Sequence, residues 1–235
     1  MRGYASIADL RTHELECAAE VLGLAEVIYL GYRDSGMAGT EDNKHPNALI
    51  MAPVEEVAQR LVEVIRRLKP EVIITSDPVG GYGHPDHIAI HKATVIAFSA
   101  AANPQKFPDA GPAFQPQKLY FHVFPHRLLK FMMKLWSFSG RDTHHMGRNK
   151  DIDFASFVEN EFPVHCVIRL KRKSVETQRL AVACHASQTS SGPLRRSLFG
   201  LIGRLSGHRD CYMRMVPPVK GRLHERDLFK GVMSS

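Results

Sequence analysis

The chain has 235 residues, 44% of them hydrophobic and 23% charged, with a formal net charge of +7. That length and balance suit one sizeable globular α/β domain carrying at most an appendage. No run of about 18 apolar residues occurs, so no membrane-spanning helix is expected, and the opening MRGYASIADLRTHE lacks the apolar centre of a signal peptide. Cys17, Cys166, Cys184 and Cys211 are scattered without CxxC spacing. They read as free thiols of a cytoplasmic protein rather than a disulfide framework. Much of the positive excess lies in the last third, including Lys171, Arg172, Lys173, Arg195 and Arg196. No nucleic-acid motif accompanies it, so the charge reads as a solvated surface and nucleic acid is not an expected partner.

In chain order, residues 8–22 predict a helix, with Leu10, Leu15, Ala18, Ala19 and Leu22 at helical spacing and Gly23 as its C-terminal cap. Glu26 to Tyr32 (EVIYLGY) predicts a strand, followed by a loop rich in Gly, Asp, Asn and Pro to about Ala52. Pro53 opens a second helix, with Glu55 and Glu56 where the helix dipole favours negative charge, and Pro70 ends it. A strand over 71–76, a Gly- and His-rich loop and a helix from about His87 to Ala101 follow. Residues 103–117 predict a loop, and Leu119 to Phe124 a strand. HRLLKFMMKLWSF (126–138) reads as an amphipathic helix, whose apolar face is either core or the wall of a substrate channel. Val164–Leu170 predicts a strand, 171–186 a helix, 189–210 an irregular stretch and Cys211–Val216 a short strand.

The β-α-β-α order argues an α/β fold, with a Rossmann-like, doubly wound, mainly parallel sheet and helices on both faces. The order nevertheless begins with a helix, where such a sheet usually begins with a strand. The domain organisation expected is a core over 1–188 and a basic extension over 189–235 packed on it.

The stretch DPVGGYGHPDHIAIH (77–91) carries the chemistry. It follows a β-branched run, and functional groups of α/β proteins collect beyond the carboxyl ends of strands. His84 and His87 lie near one another if a helix starts at about Pro85. Neutral imidazole is a common zinc ligand, a catalytic zinc takes three protein ligands and a water, and Asp86 is placed to orient a histidine. An HxxH alone is a weak signal and cannot close such a site.

Four elements in order make the chain resemble the PIG-L/LmbE family of zinc-dependent N-deacetylases. They are LRTHELECAAEVLGL (10–24), GYRDSGM (31–37), GHPDH (83–87) and CHASQ (184–188). The second resembles the branch that deacetylates N-acetylglucosaminyl-inositol, and its amidase relative. The resemblance implies zinc ligation by His87. It implies stabilisation of the oxyanion, or proton delivery to the leaving amine, by His84, with Asp86 in support. Tyr82 would touch the substrate carbonyl, Asp34 and Met37 would line the sugar pocket, and Arg11 would lie near the substrate. The implied partner is a small amino-sugar conjugate, with a homo-oligomer compatible and no membrane span.

One departure stands out. The family's A-H-P-D-D-E element, which supplies two further zinc ligands and the general base, does not occur in these 235 residues, and His45-Pro46 is followed by Asn47. The expectation is a core entered about one βα unit late and impaired in catalysis as it stands, or else a non-catalytic carbohydrate-binding remnant.

Overall fold

A computed structural model describes residues 3–123, 161–188 and 208–233. The chain divides into two compact units, Met1–Tyr29 with Arg169–Arg209, and Leu30–Ile168 with Asp210–Ser235.

The first unit is built on two helices, α1 (Ile7–Leu22) and a later one over Arg172–Cys184. Ser6 caps α1 by accepting the Asp9 amide, which satisfies one of the orphan donors of the first turn. Gly23, at φ 69°, ends it in the left-handed conformation expected from the sequence. The two helices pack together and are joined by a disulfide between Cys17 and Cys184. The expectation of four free thiols is therefore corrected: Cys166 and Cys211 stay outside the bridge, and both are buried. Spacing could not show the pair, because 167 residues separate its members and only packing brings their Cα atoms to 5.8 Å. Within the same unit Glu14 is buried and accepts the Ser187 amide and hydroxyl, both at 2.7 Å. These bonds, led by the one from the Ser187 backbone, hold its carboxyl below the usual range.

In the second unit α2 (Val54–Leu68) leads to β1 (Val72–Ser76), and α3 (Pro85–Ala101) leads to β2 (Lys118–Val123). Beyond them come β3 (Cys166–Arg169), α4, which is the Arg172–Cys184 helix of the first unit, and β4 (Arg209–Val216). The sheet order is β1-β2-β4-β3. β1 and β2 are parallel, whereas β4 runs antiparallel to β2. The α/β class is as expected, and the sheet is mixed rather than mainly parallel because the C-terminal strand folds back onto β2.

Small residues on α3 let α2 approach closely. Val57, Ala58, Val62 and Ile65 of α2 bury against Ala93, Ala97, Ala100 and Ala101. Arg66 is 2% exposed, and its guanidinium donates to the carbonyls of Ala100, Ala101, Asn103, Lys106, Phe107 and Gly111. It thereby places a cation at the carbonyl end of α3 and satisfies groups the helix leaves open. A second core cluster joins Phe98 to Leu119, Phe121, Val123 and Cys211.

The strand expected over Glu26–Tyr32 is not formed; only an isolated bridge between Arg33 and Ala48 follows it. A strand exists by pairing, and among the described residues no ladder partner meets this segment. The expected loop to Ala52 contains two short 3₁₀ turns, Glu41–Lys44 and Leu49–Met51. The helix expected over 126–138 lies outside the described residues, as does most of 189–210.

Candidate active site

The loop after β1 is shaped by Asp77, which is 3% exposed. Its Oδ1 accepts the amides of Val79 at 3.0 Å and Gly81 at 2.9 Å, closing a turn at the strand end. Gly80 (φ 71°) is required twice over, by its left-handed backbone and by crowding. A Cβ there would come within 2.8 Å of the Ile88 side chain and 3.2 Å of the His87 Cβ. The turn lifts Tyr82, 41% exposed, above the two histidines. Ring centroids stand 5.9 Å apart for Tyr82 and His84, 5.7 Å for Tyr82 and His87, and 5.0 Å for His84 and His87.

His84 is the N-cap of α3, and its Nδ1 accepts the Asp86 amide at 3.2 Å. That bond requires an unprotonated Nδ1, so the neutral ring carries its proton on Nε2. His87 is half-buried, and its pKa is pushed below the ordinary value, first by burial and then by the neighbouring His84. His87 also lines a cavity of about 690 Å³ with Ser76, Asp77, Tyr82 and His122. His122 enters this group because it pairs with Ser76 across β1 and β2. His91, one helical turn beyond His87, bonds through Nδ1 to the Ser76 carbonyl at 2.8 Å and ties the helix to the strand end. Neither His122 nor His91 is singled out by sequence reasoning. The pairing register that places His122 is a long-range fact, although a histidine near the end of a β-rich run is a visible hint.

Asp34 and Met37 sit on the 31–37 loop of the same unit. Asp34 is exposed, with Oδ1 accepting the Gly36 amide at 2.7 Å. The Met37 carbonyl accepts from Asn43 and Thr40, which fold the loop back on itself. Ser35, fully buried, links this loop to the histidines: its amide donates to Asp86 Oδ2 at 3.0 Å. Donor atoms of Asp34, His84 and Asp86 all lie within 4.8 Å of one another, a group able to hold a metal ion. Asp86 Oδ1 is buried and takes no hydrogen bond, which fits such a role. His87 belongs to no such three-donor group among the described residues. Arg11 lies exposed on α1, in the first unit. No helix among the described residues is long and apolar enough to cross a membrane.

Paired imidazoles, a tyrosine and carboxylates beyond a strand end suit a hydrolytic α/β enzyme, and the comparisons give the class as N-deacetylase. The PIG-L family, described as GlcNAc-PI de-N-acetylase, matches residues 1–98. A 1D-myo-inositol 2-acetamido-2-deoxy-alpha-D-glucopyranoside deacetylase of Geodermatophilus obscurus is 34% identical, over 96% of this chain and 78% of its own length. The enzyme of the same description from a Nocardioides species is 32% identical, over 96% and 79%. Among solved structures, the fold is similar to that of the N,N'-diacetylchitobiose deacetylase of Pyrococcus horikoshii. The TM-score is 0.55 and the identity 14%, covering 91% of this chain and 68% of the other. A conserved protein of Thermus thermophilus gives a TM-score of 0.54 at 19% identity, covering 93% and 78%. The chain belongs to the PIG-L family of N-deacetylases.

Proposed function

We propose that this chain carries the substrate-binding and charge-stabilising half of a zinc-dependent deacetylase site. The substrate class is an N-acetylated amino-sugar conjugate, and the 235 residues are impaired in catalysis on their own. The observation that carries the reading is the clustering of the Tyr82, His84 and His87 rings, with Tyr82 and His87 lining one cavity. The relatives named for deacetylation of an acetamido-glucosyl inositol support that substrate class.

Bound zinc would polarise the acetamide carbonyl and acidify its water. The described residues do not assemble that zinc site around His87. It contributes an imidazole suited to ligation, and among the described residues it belongs to no three-donor group. The element that supplies them in the family does not occur in the sequence.

The residues present perform the other half of the work. The His84 Nε2–H and the Tyr82 hydroxyl are donors for the oxygen of a tetrahedral intermediate, each worth about 3–4 kcal/mol when preorganised. Asp86 holds the Ser35 amide, and so the 31–37 loop, against the histidines. Asp34 and Met37 on that loop would meet the sugar, and Arg11 is assigned to substrate by the family resemblance alone.

Isothermal titration of the full chain with an N-acetylglucosaminyl inositol and with its free-amine counterpart tests the reading, together with zinc analysis and an acetate-release assay. The acetylated sugar should bind more tightly, with no stoichiometric zinc and negligible turnover. One tightly held zinc per chain with ordinary turnover overturns the impairment, and absence of sugar binding overturns the substrate half. The second reading, a carbohydrate-binding module without a deacetylase's use of the acetyl group, is favoured by the incomplete donor set at His87. It requires equal binding of both sugars.

A further inference from the structure

Asn43 stands on the short 3₁₀ turn Glu41–Lys44, yet its side chain reaches into the loop that carries Asp34 and Met37. Its Nδ2 donates to the carbonyl of Ser35 and, at 3.1 Å, to that of Met37, with a longer approach of 3.3 Å to the Thr40 hydroxyl. Its Oδ1 accepts the Gly39 amide at 2.8 Å. Both ends of the amide are in use. A carboxylate in its place lacks the donor, and an apolar side chain lacks both groups. The turn also sits directly on the loop, because a Cβ at Gly36 would come within 2.6 Å of Thr40 Oγ1.

Ser35 passes this hold on to the histidines. It is fully buried, and each of its polar groups has a partner. The carbonyl accepts from Asn43, the hydroxyl accepts the Ile50 amide at 3.2 Å, and the amide donates to Asp86 Oδ2 at 3.0 Å. The Asp86 amide in turn donates to His84 Nδ1 at 3.2 Å. A continuous series of hydrogen bonds thus runs from Asn43 through Ser35 and Asp86 to His84, inside one compact unit. Asp34, next to Ser35, has a donor atom within 4.8 Å of those of His84 and Asp86, so the same series sets that spacing.

We propose that Asn43 is a positioning residue for the sugar site: through Ser35 and Asp86 it latches the 31–37 loop at a fixed distance from His84. The inference rests on the substrate reading above and deepens it. An acetamido sugar must present its carbonyl to His84 while its ring meets Asp34 and Met37, so recognition of the acetyl group needs the two loops in register. A misplacement of about 1 Å caused far from the reacting atoms can cost on the order of a hundredfold in rate, and a latch of buried hydrogen bonds is a means of preventing it. Asn43 itself need touch no substrate; it acts through Ser35.

The test uses the full chain, with two readouts: hydrogen exchange of the Ser35 amide, and the preference for an N-acetylglucosaminyl inositol over its free-amine counterpart in calorimetric titration. Asn43→Asp keeps the side-chain size and the Gly39 bond but turns an oxygen toward the Ser35 and Met37 carbonyls. It should speed Ser35 exchange at least about tenfold and cut the acetyl preference by about three- to tenfold. Lys44→Ala breaks only an exposed ion pair with Glu41 in the same turn and should change neither. Asp86→Ala should also speed Ser35 exchange, and combining it with Asn43→Asp should add little, because both release the same bond. Should Asn43→Asp fail to fold, Asn43→Ala decides by the same readouts. The proposal is overturned if Ser35 exchange is unchanged, if it rises while the acetyl preference stays, or if the two substitutions add in full. Failure of the unaltered chain to bind either sugar sinks the substrate reading instead, and Ser35 exchange in the variants then decides the latch.

Discussion

Asp77→Ala should unfasten the loop that carries Tyr82, His84 and His87. One carboxylate oxygen accepts both the Val79 and the Gly81 amides, and Gly81 is buried. A hydrogen bond to a charged group contributes about 1.5–3 kcal/mol, and an orphaned buried donor retains its full desolvation penalty. Two such bonds give about 3–6 kcal/mol, and the lower half of that range applies because the Val79 amide is close enough to the surface for water to replace its partner. In Asp77→Asn an amide oxygen takes the place of Oδ1 and keeps both bonds at roughly half strength, costing about 1–2 kcal/mol. Chemical denaturation of the two variants reads the difference directly. In thermal melts the Ala variant should fall by about 10 °C and the Asn variant by about 4 °C. The acetyl preference of sugar binding should fall with Ala and persist with Asn. If Ala and Asn prove equally stable, the carboxylate is not the clamp of this turn and the reasoning fails.

Four further predictions concern stability. Glu225 is 4% exposed and accepts from Lys118 at 3.2 Å, Arg214 at 2.7 Å and Tyr120 at 2.7 Å, so Glu225→Ala leaves Lys118 buried without its carboxylate. The cost in urea denaturation should be about 3–5 kcal/mol, and a loss below about 1 kcal/mol would show the cluster to be solvated. Burial alone would raise the Glu225 pKa, but hydrogen bonds from Tyr120 and Lys118 outweigh it and hold the group below its ordinary 4.5. Its contribution is therefore present above pH 4.5 and lost as pH falls through the lower folded value; a Glu225→Gln variant should show a flatter acid limb. His165, pushed below its ordinary 6.5 chiefly by burial, should add stability above that pH that disappears on acidification, and His165→Gln should remove this dependence. Reduction of Cys17–Cys184, which closes a loop of 167 residues, should lower stability by about 3–5 kcal/mol, and an unchanged melt on reduction would contradict a structural role.

The elements legible in the sequence are those whose signals are local. Gly23 at the end of α1, Glu55 and Glu56 at the start of α2, and Pro85 at the start of α3 act within a turn of where they stand. The β1 run and the GHPDH turn are similarly local, so the core of the site is readable. What stays hidden depends on distant partners. EVIYLGY has the residues of a strand, but strand formation is a property of pairs, and no described ladder meets it. Nothing local marks Arg66 for burial, because the carbonyls that surround it, at the end of α3 and just beyond, are 34 or more residues away. The Lys118–Tyr120–Glu225 cluster spans 107 residues, and the Ser35 contact to Asp86 spans 51, distances at which no pattern constrains an ion pair or a hydrogen bond.

For His84 we propose the first of the two roles that the resemblance left open, oxyanion stabilisation rather than proton delivery. A histidine that delivers a proton to a leaving amine must be an imidazolium, with hydrogens on both nitrogens. Here Nδ1 accepts the Asp86 amide, which leaves Nε2 as the position for a donor hydrogen. The role we propose for the Nε2 donor is donation to a carbonyl or oxyanion oxygen. His84→Gln tests the assignment because a glutamine amide can donate from a similar reach but cannot carry a transferable proton. If donation is the role, His84→Gln should keep much of the preference for the acetylated sugar over the free amine, and His84→Ala should reduce it by about three- to tenfold. Equal loss in both variants would return His84 to the acid role and imply that the Asp86 amide bond breaks when substrate enters.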